Sequence, residues 1–476
     1  MYTRIVLVAA TLLTCPAGLA AQASGRETEV EDRSRPNFVF ILVDDLRYDA
    51  LSCTGSRIVK TPQIDRIASA GVRFTNAFAT TSLCSPSRAS FLTGMYAHAH
   101  GVRDNDTELD PKWPTFPRVL REHGYATAYI GKWHMGMDDQ PRPGFDYWLS
   151  FKGQGEYYDP QLNENGRRFQ ARGYTTDILT QYAVDYITQD RDRPFCLYLS
   201  HKAVHADFIP AKRHENLLAD FDFPEPANYR DDYAGKPEWQ RVVRIRGGRL
   251  RRPAPPTIPK TLEVKPWTDE QSRLKRRLDY YRTLASVDES VGRVLGALKE
   301  TGRLANTVVV FAGDNGFFQG EHNGLTDKRW AYEESIRIPL LAAGPGIPRG
   351  RQIDAMVLNL DLAPTFLDLA GAPIPPSVQG RSLRPLLESR EVAWRTSFLY
   401  EYFREDWLPG VPDILGVRTQ EWKYVTYPGL EDTAELYDLR TDALELRNLA
   451  DDPAARDQLA RMQAELDRLC RETGRK

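Results

Sequence analysis

Two polar pairs, Asp44-Asp45 and the Asp314-Asn315 of Gly-Asp-Asn-Gly, supply hard oxygen donors. Brought together, they suit a hard divalent cation, and flexible carboxylate coordination favours Ca2+. A second set, Arg88, Lys132, His134, His205 and Lys328, is cationic or able to move protons. Such groups neutralise the non-bridging oxygens of an anionic ester, and a His or Lys can protonate a leaving alcohol. Cys84 lies in the stretch from Thr80 to His100, TTSLCSPSRASFLTGMYAHAH. It sits just before a Pro-directed turn, with Arg88 four residues on and a helix expected over Ser87 to Thr93. A thiol at a helix N-terminus near a guanidinium is expected to have a lowered pKa.

Each feature alone has an ordinary explanation. A lone cysteine is usually buried and inert. Asp-Asp after a strand is usually a turn or a cap. Lys328, within Asp327-Lys328-Arg329, suits an exposed loop, and His201 competes with His205. The elements that precede them change the balance. Asn37 to Val43 is a continuous apolar run ending at Asp44-Asp45, as in a strand buried on both faces of a parallel sheet. Further strands are expected over Phe74 to Phe78, Ala126 to Ile130, Phe195 to Leu199, Thr307 to Ala312 and Pro339 to Ala343. Helices are expected from Thr61, with Thr61 as cap and Pro62 in the first turn, and over Phe116 to His123, Thr176 to Thr188 and Leu362 to Leu369. The clearest helix opens at Thr268, with Gln271 completing a capping box, and stops at Gly302. Strand–helix alternation of this kind makes an α/β sheet with helices on both faces. Ligands then bind at the carboxyl ends of the strands. Asp44-Asp45, Lys132 with His134, His205, and Asp314-Asn315 all follow predicted strands.

The remaining composition bounds the class. The chain has 476 residues, 41% apolar and 27% charged, with net charge −2, so nothing drives it towards nucleic acid or acidic membranes. Met1 to Ala23 has the form of a secretory signal, with a charged start, a short apolar core and small residues for cleavage. No stretch suits a membrane span, so an exported, periplasmic or extracellular protein is expected. Five cysteines at irregular spacing make neither a disulfide scaffold nor a zinc site. Residues 24–36 read as a lead-in and 37–394 as the catalytic α/β domain. An inserted surface loop is expected at about 221–266, where Arg241, Arg244, Arg246, Arg249, Arg251 and Arg252 could form a rim for a polyanion. Short alternating runs at Phe398 to Tyr402, Leu415 to Arg418, Trp422 to Tyr427 and Glu435 to Asp438 suit an antiparallel sheet. With a helix over Asp452 to Arg471, they give a small α+β C-terminal domain at 395–476.

Cys84-x-Pro86-Ser87-Arg88 followed by Leu92-Thr93-Gly94 resembles the sulfatase signature, in which the cysteine is converted to Cα-formylglycine. The likeness extends from Asn37 through the C-terminal domain. It implies an alkaline-phosphatase-like fold, a large, mostly parallel mixed sheet between helices with the small C-terminal domain beside it. It implies that Asp44, Asp45, Asp314, Asn315 and the modified Cys84 hold one Ca2+. Arg88 would hold the formylglycine hydrate. Gly131-Lys132-Trp133-His134 resembles the family's Gly-Lys-x-His, His205 its second-half histidine, and Lys328 its late lysine on the substrate sulfate. One hydrate hydroxyl would attack sulfur, His205 or Lys328 would protonate the departing sugar oxygen, and His134 would deprotonate the second hydroxyl. Gly320-Glu321-His322, Thr326 to Arg329 and Tyr332 to Ser335 resemble bacterial carbohydrate sulfatases of the N-acetylglucosamine-6-sulfatase type. A sulfated carbohydrate and a formylglycine-generating maturation enzyme are the implied partners. Sulfated algal polysaccharide, phosphonate or phosphate ester hydrolysis on the same scaffold, and an inactive sulfated-glycan-binding protein are the alternatives.

Overall fold

Strands and helices alternate as expected, and the parallel core collects its polar strand ends on one edge. The structure is a computed structural model that describes residues 35–240, 270–430 and 433–476. The signal-like residues Met1 to Ala23, the arginines from Arg241 to Arg252 and the Thr268 cap lie outside the described residues. The main sheet has ten strands: β1 Asn37–Val43, β2 Val72–Phe78, β3 Ala126–Lys132, β4 Tyr147–Phe151, β5 Gln161–Glu164, β6 Arg167–Gln170, β7 Phe195–His201, β8 Thr307–Gly313, β9 Leu340–Ala343 and β10 Arg351–Leu358. Their order is β10-β2-β9-β8-β1-β7-β3-β4-β5-β6. β8, β1, β7 and β3 are parallel neighbours at the centre, and every residue in them is buried. β9 runs antiparallel between β8 and β2, and β5 runs antiparallel to β4 and β6.

Alternation along each strand splits the core into two layers. Val39, Ile41 and Val43 of β1, with Leu197 and Leu199 of β7, face helices Pro62–Ala70, Thr175–Thr188 and Glu270–Glu300. Phe38, Phe40 and Leu42, with Tyr198, face helices Cys84–Thr93, Phe116–Glu122 and Leu362–Leu369. Phe366 anchors this second layer, stacking on Phe116 at 4.7 Å between ring centres. Burying one such ring stabilises the fold by roughly 1.5–3 kcal/mol.

Two local expectations are corrected. The signature helix spans Cys84–Thr93 and begins three residues earlier than the sequence suggested, because proline is tolerated in a first helical turn. Thr61 stands at the N-cap of Pro62–Ala70, but its hydroxyl makes no cap hydrogen bond. Asp288 of the long helix Glu270–Glu300 caps that end instead, accepting from the Gln63 and Ile64 amides at 2.9 Å each. A carboxylate there also complements the helix dipole.

A second, antiparallel sheet has four strands, β11 Ser397–Tyr402, β12 Ile414–Thr419, β13 Trp422–Thr426 and β14 Ala434–Asp438, with helix Arg456–Thr473 packed beside it. Its core is continuous with Phe78, Phe318, Trp330 and Ile336 of the main body. Lys423 of β13 lies between Glu333 at 2.8 Å and Glu445 at 2.7 Å, and Arg418 of β12 reaches Glu333 at 3.2 Å.

Candidate active site

Every residue of the signature helix is buried, although half are polar. A polar helix can be buried only if its groups find partners, and here they find the strand ends. Cys84 and Arg88, four residues apart, share one helical face. Arg88 Nη1 donates to the Lys132 carbonyl and to Ser200 Oγ, each at 2.7 Å. Its Nε and Nη2 reach Asp314 Oδ2 at 3.0 and 2.8 Å. Ser87 Oγ donates to the Asp314 carbonyl at 2.5 Å, and Ser85 Oγ donates to the His134 carbonyl. Gly94 ends the helix at φ 68°, where a Cβ would lie 2.9 Å from Val378, so glycine is the residue that fits.

Asp44 and Asp45 follow β1, and Asp314 and Asn315 follow β8, so the parallel β1–β8 register sets them side by side. Oxygens of Asp44, Asp45 and Asp314 all lie within 4.8 Å of one another. Asn315 Nδ2 donates to Asp45 Oδ1 at 2.7 Å, and the Asp45 amide donates to Asp314 Oδ1 at 2.9 Å. Asp45 holds φ 55°, a backbone cost typical of functional sites. Asp45 Oδ2 and Asn315 Oδ1 are buried with no hydrogen-bond partner among the described residues. Unpartnered buried oxygens are expensive, and three clustered carboxyls with a spare amide oxygen fit a hard cation. Burial pushes the Asp314 carboxyl up to about 7, with Asp44 adding to the effect. Burial likewise raises Asp45 despite Lys328 beside it. Burial also opposes ionisation of Asp44, but Lys132, His205, Arg88 and Lys328 outweigh it and hold that carboxyl well below its usual range.

Lys132 and Lys328 converge on Cys84 from distant parts of the chain. Lys132 Nζ pairs with Asp44 Oδ2 and lies 3.9 Å from Cys84 Sγ. Lys328 Nζ pairs with Asp45 Oδ1 and lies 3.1 Å from the same sulfur. Burial works against the Lys328 charge, but Asp45 overcomes it, so the ammonium is held above its ordinary pKa. His134, at φ 49°, is buried with Nδ1 unpartnered. His205 Nε2 is 3.8 Å from Asp45 Oδ2. Burial, then the Lys132 charge, lowers both imidazoles well below their usual value. Both are neutral near pH 7.

The expected low pKa of Cys84 is overturned. Burial pushes the thiol up to about 12, and Asp44, accepting from Sγ at 3.4 Å, adds to that. The helix N-terminus and two lysines do not compensate, so this is no activated thiolate. All the sequence-selected candidates, Asp44, Asp45, Cys84, Arg88, Lys132, His134, His205, Asp314, Asn315 and Lys328, gather here. His201 does not join them: it points into the opposite core layer, with Nε2 3.1 Å from Ser290 Oγ. Lys132 is the last residue of its strand, which runs two residues beyond the expected end at Ile130. Sequence reasoning missed Gln154, which accepts from Lys132 Nζ at 2.5 Å, and Ser200, which positions Arg88. Neither carries a sequence signal. The described cysteines, Cys53, Cys84, Cys196 and Cys470, are free thiols.

Lys328 has no regular element to hold it. The small sheet and the loop after β11 do so: Tyr400 Oη donates to the Arg329 carbonyl at 3.0 Å, and buried Glu405 binds Arg329 Nε at 2.6 Å.

Comparison with known proteins agrees with this geometry. A family model described as Sulfatase matches residues 36–372, and one described as N-sulphoglucosamine sulphohydrolase, C-terminal, matches residues 320–472. An N-acetylglucosamine-6-O-sulfatase of Bacteroides thetaiotaomicron is 35% identical over 97% of this chain and 90% of its own. A solved structure described as a complex with its substrate, D-glucosamine-2-N,6-O-disulfate, superposes with TM-score 0.83 at 33% identity, covering 92% of this chain and 98% of that one. A phosphonate monoester hydrolase of Agrobacterium radiobacter superposes with TM-score 0.75 at 25% identity, over 92% of this chain and 96% of its own. The fold is that of the alkaline-phosphatase-like enzymes, and with the signature helix, the acidic strand ends and both lysines in one site, the chain belongs to the sulfatase family and is an enzyme of that family.

Proposed function

We propose that this sulfatase removes 6-O-sulfate from glucosamine-type residues of a sulfated carbohydrate. The proposed machinery is a formylglycine hydrate made from Cys84 and one Ca2+. The observation that carries the chemistry is Cys84 buried among Asp44, Lys132 and Lys328 at the acidic strand ends. The sugar assignment rests on the relative and the substrate complex named above, each similar over nine-tenths of this chain.

Asp44, Asp45, Asp314 and Asn315, with the residue at position 84, would hold the ion. When bound, Ca2+ supplies positive charge that polarises the sulfate oxygens and lowers the pKa of an attacking hydroxyl. A hydrated aldehyde made from Cys84 would supply two geminal hydroxyls, one for attack on sulfur and one whose deprotonation would release sulfate. A plain serine or cysteine would stop at a stable ester. Arg88, fixed by Asp314, Ser200 and the Lys132 carbonyl, orients that residue. Lys132 and Lys328 face the charge that builds on the non-bridging oxygens. Lys328, held protonated, can donate to the departing sugar oxygen. His205, neutral at rest, serves that role once an anionic ester raises its proton affinity. His134, neutral and unpartnered at Nδ1, accepts the proton of the second hydroxyl.

Mature protein screened against defined sulfated mono- and disaccharides tests the sugar, and mass spectrometry of the Cys84 peptide tests the modification. Full activity with an unmodified thiol would sink the mechanism. The likeness to a phosphonate monoester hydrolase favours one second reading, hydrolysis of phosphonate or phosphate esters. Turnover of aryl sulfate against aryl phosphonate separates the two. Export to the periplasm or beyond is also proposed, on the form of Met1 to Ala23. No helix among the described residues is long and apolar enough to cross a membrane.

A further inference from the structure

Beside the catalytic edge lies a cavity of about 120 Å³ between the long helix Glu270–Glu300 and the loops that follow β7 and β8. Three arginines of one helical face, Arg273, Arg276 and Arg277, line it. Each lies over an aromatic ring. The distances are 4.7 Å for Arg273 and Tyr229, 5.3 Å for Arg276 and Phe208, and 4.8 Å for Arg277 and Phe223. Stacking fixes a guanidinium without neutralising it.

Charge is what this cavity lacks a partner for. Arg273 donates to Tyr229 Oη, and Arg277 Nη1 donates to the Pro224 carbonyl at 2.9 Å. No carboxylate among the described residues forms an ion pair with any of the three. The Nε atoms of Arg273 and Arg277 are buried with no hydrogen-bond partner there. Asp222 and Glu225 also line the cavity, but both are exposed, and Glu225 faces Arg230 at 3.9 Å. Buried Glu321 is taken by Arg47 at 2.7 Å. Burial accordingly depresses the Arg277 pKa, and nearby Arg47 and Arg273 add to that effect against Tyr281 and Glu321.

The cavity also adjoins the reacting centre. Tyr280, which lines it, donates from Oη to the Asp45 carbonyl at 2.9 Å. Thr326 of its wall is two residues from Lys328, and Phe208 is three from His205. We propose that this cavity is a second oxyanion subsite, which receives a sulfate group of the glycan other than the one being hydrolysed. The proposal rests on the carbohydrate sulfatase reading above. Planar guanidinium forks bind tetrahedral oxyanions through paired hydrogen bonds, and a polysulfated chain supplies such groups close to the scissile ester. The protein would then read sulfation pattern as well as sulfate position.

The test compares wild type with Arg276→Gln and Arg277→Gln on glucosamine 6-sulfate and on an oligosaccharide carrying further sulfates. The expected result is a fall of about tenfold in the ratio of kcat/KM for the polysulfated over the monosulfated substrate. Arg276→Lys should recover part of it. Inorganic sulfate, as a product, competes with both substrates at the catalytic centre; stronger competition against the longer substrate, lost in the variants, would show that the free ion also uses this subsite. Equal losses on both substrates, or no change in the ratio and no such competition, would overturn the proposal. If glucosamine 6-sulfate is not turned over at all, the sugar assignment has failed, not this one. Binding of a heparin-type oligosaccharide to Cys84→Ala protein, with and without Arg276→Gln, then decides the subsite: equal affinities overturn it.

Discussion

Gly131→Ala tests how tightly the site depends on one backbone contact. Gly131 pairs with Ser200 across β3 and β7. At its φ of +118° a Cβ would lie 1.8 Å from the Ser200 carbonyl oxygen, where contacts under 3.0 Å essentially never occur. The two strands must therefore part by about 1.2 Å to admit one methyl group. Overpacking costs about 1–3 kcal/mol, and alanine in a left-handed conformation roughly 1–2 more. The catalytic cost is separate. Ser200 and the Lys132 carbonyl hold Arg88, so parting these strands displaces Arg88 from Asp314 and moves Lys132 away from Cys84. A misplacement of about 1 Å can cost on the order of 100-fold in rate. Urea unfolding should show a lowered midpoint with an unchanged slope, and kcat/KM on a chromogenic aryl sulfate should fall about 100-fold in protein that is still folded. A variant with wild-type midpoint and activity within about twofold of wild type would refute the reasoning.

Three further outcomes are expected. Chelation should lower the melting temperature and Ca2+ should restore it, since an ion at about 100 times its Kd adds about 2.7 kcal/mol; a melting curve indifferent to both would contradict the metal site. Glu405→Gln should loosen Arg329 and with it Lys328, reducing kcat/KM about tenfold while circular dichroism is retained; unchanged kinetics would show that the small sheet does not position Lys328. Burial pushes His201 down to about 4. The unfolded chain takes up its proton near pH 6.5 and the folded one does not, so His201 costs stability as pH falls from about 6.5 to 4, by up to about 1.4 kcal/mol per pH unit. His201→Asn should flatten the pH dependence of unfolding free energy by that amount in this window, and an identical slope would count against it.

Much of the site was legible because strand ends carry it. A run such as Asn37 to Val43 has one interpretation, and Asp44-Asp45 then had to fall at a carboxyl edge. What failed depended on packing. The Cys84 thiol looked activated from its neighbours in sequence, but burial and Asp44, forty residues away, decide its pKa. Thr61 had the right identity for a cap, yet Asp288 arrives from another helix. His201 and His205 were separable only through strand parity, once β7 extended to His201. Gln154 and Ser200 are ordinary residue types whose roles come wholly from where β4 and β7 place them.

Cys84 is fully enclosed, with no accessible surface. Any enzyme that oxidises it must reach it while the chain is still open, so folding sets a deadline. A molecule that misses the deadline keeps a buried thiol, which a second macromolecule such as a maturation enzyme no longer reaches. Two populations would then copurify, alike in size, charge and fold. On the proposed mechanism, the specific activity of such a preparation would measure the share of chains caught in time before it measured any rate constant, and rates would need normalising to the modified fraction.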